Sequence, residues 1–236
     1  MTTRASFQVS ASLHRRKIGL RYAYTSGKVA TSKATTSRPF ESGLERDFYQ
    51  LLEFDADVVT YEPQPVTLNW CDGAGRSSRY TPDTLVHFAP AMGRRPIMYE
   101  VKPQAVLRAE WLVLRPRFKA ALKWCRAKGY DFRIVRDVDI QTPLLKNARF
   151  LLGFIDARMQ IGGATALASR QGALLSMVPT GKTMMPRQLL EATAGTAAEQ
   201  AELIPYMWNL VAHGRLIADL EQPLTMTSSL WRPAYA

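Results

Sequence analysis

Residues 79–103 read RYTPDTLVHFAPAMGRRPIMYEVKP, and the fold is decided by how this stretch closes. Thr84–Phe88 and Ile97–Val101 are short β-rich runs, separated by a loop that holds Pro90, Gly93, Arg94 and Arg95. That pattern predicts a β-hairpin. Side chains alternate along a strand. Ile97, Tyr99 and Val101 therefore share one face, and Met98, Glu100 and Lys102 share the other. Closing the hairpin carries Asp83 close to Glu100 and Lys102. Pro82 cannot donate to a ladder, so it marks the point where the first strand begins.

Two carboxylates at such a separation repel unless a cation lies between them, and hard oxygen ligands suit Mg²⁺ or Mn²⁺. An ion of that kind lowers the pKa of a coordinated water. A neighbouring lysine can orient the water or neutralise charge on a phosphate. Pro82-Asp83 followed by Glu100-Val101-Lys102 resembles the PD-(D/E)xK nuclease motif. A surface hairpin with solvated charges would carry the same letters, so the flanking elements have to decide.

Upstream, Glu41–Asp55 (ESGLERDFYQLLEFD) is expected to be a helix. Leu44, Phe48, Leu51 and Leu52 recur on one face, and Arg46, Asp47, Gln50 and Glu53 on the other. Glu45 falls with the apolar group, where a carboxylate needs a partner or a metal. It is either an arginine-paired core-edge residue or a third acid of the hairpin site. Glu41 is expected to cap the helix. Residues 58–70 suggest a strand, a Pro63-Gln64-Pro65 kink and a second strand, with Gln64 capping the bend or facing a cleft. Downstream, a short helical patch over 105–111 is followed by a helix over Arg115–Lys128, with Pro116 in its first turn and Gly129 at its C-terminal cap. Its inner stripe is Phe118, Ala121, Leu122 and Cys125, and its outer face holds Arg117, Lys119, Lys123, Arg126 and Lys128. A strand over Asp131–Val135 and a helix over Thr142–Ile155 complete a mixed α/β domain.

The chain has 236 residues, 47% of them hydrophobic, and a formal charge of +11. The charge favours an anionic partner, nucleic acid before membrane. Eight basic residues and no acid lie in the first forty positions: Arg4, Arg15, Arg16, Lys17, Arg21, Lys28, Lys33 and Arg38. We read residues 1–40 as an arm, with Arg15 to Arg38 lying along a DNA backbone; the alternative is a solvated tail. Cys71 and Cys125 lack metal-ligand spacing and are expected to be reduced. No run has the length of a membrane span and no apolar leader opens the sequence, so a cytoplasmic protein is the expectation.

A longer resemblance now becomes specific. Gly27-Lys28-Val29, Glu41-Ser42-Gly43-Leu44-Glu45-Arg46-Asp47-Phe48, Leu51-Leu52-Glu53-Phe54-Asp55 and Glu62-Pro63-Gln64-Pro65 occur in the order found in the TnsA family of transposon endonuclease subunits. Tyr80-Thr81-Pro82-Asp83, Glu100-Val101-Lys102-Pro103 and Asn147-Ala148-Arg149-Phe150-Leu151-Leu152 continue it. The resemblance implies a restriction-endonuclease-like mixed central sheet flanked by helices, with Mg²⁺-dependent cleavage of double-stranded DNA at transposon ends. It implies Glu45, Asp83 and Glu100 as acidic site residues, Lys102 as the lysine, and the Val101 carbonyl as a further metal ligand. Some members carry Gln where Glu100 stands. The family nicks the 5′ strand at each end, while a TnsB transposase cuts and joins the 3′ strand.

The last third differs. Arg187–Ala194 and Thr196–His213 suggest helices, and 215–220 with 224–230 a two-stranded wing. The expected architecture is therefore α/β: arm 1–40, catalytic domain 41–156, and a small, mostly helical, winged-helix-like domain 157–236. By the same resemblance the last engages partner subunits, including the AAA+ regulator TnsC. Two other readings stay open: a non-catalytic DNA-binding or scaffolding subunit of the same machine, and a stand-alone restriction or repair nuclease.

Overall fold

A computed structural model describes residues 9–12, 32–35, 40–71, 76–155 and 163–233. The chain divides into two compact units, Met1–Gln141 and Thr142–Ala236.

Two sheets build the first unit. Strands β1 (Val9–Ser12), β3 (Thr67–Cys71) and β4 (Ser77–Tyr80) form an antiparallel sheet in that order. Strands β2 (Val58–Pro63), β5 (Thr84–Phe88), β6 (Ile97–Lys102) and β7 (Asp131–Arg136) form a mixed sheet in the order β2-β5-β6-β7. The expected hairpin is β5–β6, pairing Thr84 with Tyr99, Leu85 with Met98 and Val86 with Ile97. Gly93 closes its loop at φ 59°, a conformation that costs glycine nothing. Strands β6 and β7 run parallel, which demands a crossover. Helix α2 (Gln104–Lys128) supplies it.

Helix α2 is one 25-residue helix, not the expected patch followed by a helix. Pro116 lies inside it, where the ring removes a donor and crowds the carbonyl of Leu112. Leu112 is 81% exposed, so water can serve that carbonyl and the helix runs on. Its inner side brings Leu114, Phe118, Ala121 and Cys125 against Leu68 and Trp70 of one sheet and Leu85 and Met98 of the other. The helix thus ties both sheets into one core. Both cysteines are free; burial pushes the Cys125 thiol up to about 12.

Helix α1 (Gly43–Phe54) buries Phe48, Tyr49 and Leu52. Glu53, expected on its polar face, is buried as well. Its carboxylate accepts from the Ser32 amide (3.0 Å), the Ser32 hydroxyl (2.8 Å), the Lys33 amide (3.3 Å) and the Tyr61 hydroxyl (3.0 Å). Lys33, expected along a DNA backbone, also bonds within the fold. Its ammonium donates to the carbonyls of Leu52 (3.2 Å) and Asp55 (2.5 Å), at the negative end of the α1 dipole. Burial holds its pKa below the ordinary lysine value. Parts of the expected arm thus belong to the fold: β1 pairs with β3, and Ala34 bridges to Tyr61. Arg15, Arg16, Lys17, Arg21, Lys28 and Arg38 lie outside the described residues. Glu53→Ala would strip four donors of their acceptor and should lower stability by about 2–4 kcal/mol. A drop in the urea midpoint at unchanged slope checks this.

Helix α3 (Asp137–Ile140) ends the first unit. The second holds α4 (Pro143–Ile155), α5 (Gly163–Met177), α6 (Pro186–Thr193) and α7 (Ala197–Ala212), with a short antiparallel ladder of β8 (Ile217–Ala218) and β9 (Leu230–Trp231). Helix α4, expected to close the catalytic domain, belongs to this second unit instead. Asn147 explains the shift. Its carboxamide donates to the carbonyls of Leu220 and Gln222 and accepts from the amide of Leu224, all in the C-terminal segment. Among the described residues no helix is long and apolar enough to cross a membrane.

Candidate active site

Asp83, Glu100 and Lys102 line one cavity of about 370 Å³ in the first unit. The strand period places them there. Glu100 and Lys102 are two residues apart on β6, and Asp83 sits just before β5, the antiparallel neighbour. The Lys102 ammonium stands 3.2 Å from Glu100 Oε1, and the Tyr80 hydroxyl donates to Glu100 Oε2 at 2.5 Å. The Val101 amide donates to Asp83 Oδ2 at 2.7 Å. A strand residue presents its amide and carbonyl to the same edge. The Val101 carbonyl therefore leaves β6 on the Asp83 side, beyond the last β5 pair, Thr84 with Tyr99.

The acids around the site are near enough to raise one another's pKa. Burial, then the Glu100 carboxylate, keeps the Asp83 pKa well above the usual range against the pull of Lys102 and the Val101 amide. Burial also raises Glu45, with the Glu41 charge adding to it. For Lys102, burial alone would lower the pKa, but Glu100 and Asp83 outweigh it and the net shift is upward. The lysine therefore stays charged, and the carboxylates retain a demand for further positive charge or for protons.

Residues 55–137 match the protein-family model described as TnsA-like endonuclease N terminal. Over that stretch the chain is similar to the N-terminal domain of TnsA-like endonucleases. No curated protein matches it. The matched region spans β2 to the start of α3 and contains Asp83, Glu100, Val101 and Lys102, while Glu41 and Glu45 precede it.

Ahead of the matched region, Glu41 and Glu45 take unexpected places. Ser42 is the N-cap of α1, and its hydroxyl accepts the Glu45 amide at 3.1 Å. The Glu45 carboxylate accepts from the Glu41 amide (3.0 Å) and the Ser42 hydroxyl (3.1 Å). Glu45 thus reaches back to the N-cap side chain and to the amide before it, one residue short of the Ser42 amide that a full capping box would engage. Its charge still reaches Asp83 and Lys102. Glu41, expected to cap, lines the cavity instead and accepts a hydrogen bond from Gln64 Nε2 at 2.8 Å. The sequence held the signal: Ser42-Gly43-Leu44-Glu45 is the S-x-x-E capping pattern.

Gln64 also faces this cavity. It has φ 48°, the one positive value outside glycine among the described residues. Such a conformation costs on the order of 1–3 kcal/mol and persists only when its surroundings hold it. Arg117, assigned by its spacing to the outer face of α2, lines the cavity too, with its guanidinium 5.9 Å from the Tyr80 ring centre. Arg79 joins it from β4. Among the described residues neither arginine is in a carboxylate ion pair.

Among the described residues no group of three or more Asp, Glu, His or Cys side chains is placed to hold a metal ion. The oxygens near one another are those of Asp83, Glu100 and the Val101 main chain, while the Glu45 carboxylate is bonded at the start of α1. That chemistry fits a hard divalent cation. An incoming ion would compete with Lys102 for Glu100 and with the helix cap for Glu45.

Proposed function

We propose that this chain is the metal-dependent endonuclease subunit of a heteromeric bacterial transposase, cutting the 5′ strands at transposon ends in double-stranded DNA. The observation that carries the reading is the convergence of Asp83, Glu100 and Lys102 on one cavity inside the matched TnsA-like domain. Asp83, Glu100, Glu45 and the Val101 carbonyl would hold one or two Mg²⁺ ions, with Mn²⁺ able to substitute. Bound there, the cation supplies a more acidic water and neutralises phosphate charge. Lys102 holds a positive charge beside the reacting phosphate and orients the attacking oxygen. Tyr80 fixes the Glu100 carboxylate through its hydroxyl. Arg79 and Arg117 supply cations at the rim for neighbouring phosphates. A TnsB-like transposase and a TnsC-like AAA+ regulator are the partners, the second unit being the docking region, and the work is done in the bacterial cytoplasm.

The test is cleavage of a duplex carrying a transposon end, labelled separately on each strand, with the partner subunits present. Nicks on the 5′ strand in Mg²⁺ that vanish with chelator are the expected result. Undiminished nicking in chelator would remove the metal. Cutting of any duplex without partners would make the chain a stand-alone nuclease. DNA binding without nicking would make it a scaffold.

A further inference from the structure

Gln64 makes two bonds that run in opposite directions from a strained backbone. Its amide donates to the Asp83 carbonyl at 2.7 Å, and its side-chain Nε2 donates to Glu41 Oε1 at 2.8 Å. The first bond holds the residue just before β5. The second holds the carboxylate that precedes α1. Pro63 and Pro65 flank it on both sides, so the bend has little freedom to relax. A left-handed glutamine between two prolines is an expensive way to make a turn, since glycine makes the same turn without strain. A carboxamide aimed into the cavity, against an acid of that cavity, is what glycine would lack.

We infer that Gln64 is a positioning residue that keeps Glu41 turned into the cleft as an additional acidic group serving the divalent cation. The inference rests on the metal-dependent reading of the cavity and extends it to two residues that the nuclease motif does not include. Glu41 adds a carboxylate to the cleft, able to accept a hydrogen bond from a water on an ion that Asp83 and Glu100 would hold. Gln64 sets where that charge stands. The main-chain bond to Asp83 is separate and survives removal of the side chain.

That separation gives the test. Gln64→Gly keeps the amide and tolerates φ 48°, so the bond to Asp83 remains while the side-chain link to Glu41 is lost. The readout is Mn²⁺ affinity of the full chain, measured by electron paramagnetic resonance without DNA, alongside thermal melting. Removing a group that orients a ligand set typically weakens metal binding by about 10–100-fold. We expect a loss of that size in Gln64→Gly, with a melting temperature equal to or above that of the wild type. Glu41→Gln should show a comparable loss, and the double variant should be little worse than either single one, because the two act as a pair. A merely structural turn would show the higher melting temperature with unchanged affinity, and Mn²⁺ affinity within about twofold of wild type overturns the inference. If the wild type itself binds no Mn²⁺, the metal-dependent reading falls and this inference falls with it. Binding that is equal in wild type and variant removes the Gln64 inference alone.

Discussion

Asp83→Ala and Lys102→Met should each reduce end cleavage by on the order of 10²–10³-fold or more, the range seen when one preorganised charge-stabilising group is deleted. The two losses have different physical origins. Asp83 is the carboxylate between the two strands of the hairpin, tied to Val101 and felt electrostatically by Glu100, Lys102 and Glu45. Its removal takes the central donor out of the cation site. Lys102 keeps its ammonium 3.2 Å from Glu100, and the neighbouring acids hold it protonated. Its removal deletes the positive charge at the reacting phosphate. Methionine at 102 keeps the stem's volume, so packing alone would not explain a loss. Mn²⁺ affinity separates the two: it should collapse in Asp83→Ala and persist or rise in Lys102→Met, where Glu100 loses its competing ammonium. Cleavage within about threefold of wild type in both variants would mean the hairpin is not the active site.

Asp83→Asn should flatten the dependence of stability on pH and remove much of its dependence on metal. The Asp83 pKa is raised in the folded chain, chiefly by burial and the Glu100 charge. A raised carboxyl binds its proton more tightly in the folded state than in the unfolded one. Its contribution is therefore complete below the unfolded carboxylate range, near pH ~4, and is lost as pH rises through the folded value. Glu45 is raised and works in the same direction. Lys102 is raised too, but its contribution is lost only as pH climbs past its own elevated value, above the ordinary lysine range near ~10.4. Metal-free wild type should thus melt at falling temperatures as pH rises from acid through neutral. Asparagine cannot ionise, so the variant should show a flatter profile and melt above wild type at pH 8. Mg²⁺ reverses the order. A ligand at a hundredfold excess over its Kd stabilises by about 2.7 kcal/mol, or about 5–10 °C for a chain of this length, and the asparagine variant should gain little of it. Parallel melting profiles for the two proteins would show that Asp83 carries no such charge burden.

The β5–β6 hairpin was legible because it depends on short-range rules. A period of two fixed the parity of Glu100 and Lys102, and Pro82 fixed where β5 begins. The mixed sheet followed from the same strands and the crossover helix. The exchanged places of Glu41 and Glu45 turned on where α1 starts, and the capping pattern around Ser42 was outweighed by the helical wheel. The Glu53 cluster was not legible, because Ser32 and Lys33 reach it from about twenty residues away. Nor was Gln64: its backbone angle is imposed by a tertiary bond to Asp83, which no local propensity encodes. Pro116 misled for a related reason. A helix tolerates an interior proline where the orphaned carbonyl meets solvent, and exposure there depends on the packing of the finished domain. Helix α5, rich in alanine and glycine without a clear apolar stripe, gave periodicity nothing to detect.

Strand β2 lies on the flank of its sheet, and an uncovered flank is a template for another chain. Here the segment around Ala34 covers it: the Tyr61 amide donates to the Lys33 carbonyl at 3.0 Å, and the Thr35 amide donates to the Tyr61 carbonyl at 2.9 Å. Strand β1 does the same for β3. A fragment trimmed to the family match, beginning at residue 55, would keep Asp83, Glu100 and Lys102 yet bare two sheet edges at once. Such a fragment would self-associate along those edges, so the N-terminal stretch acts as the domain's own guard against aggregation.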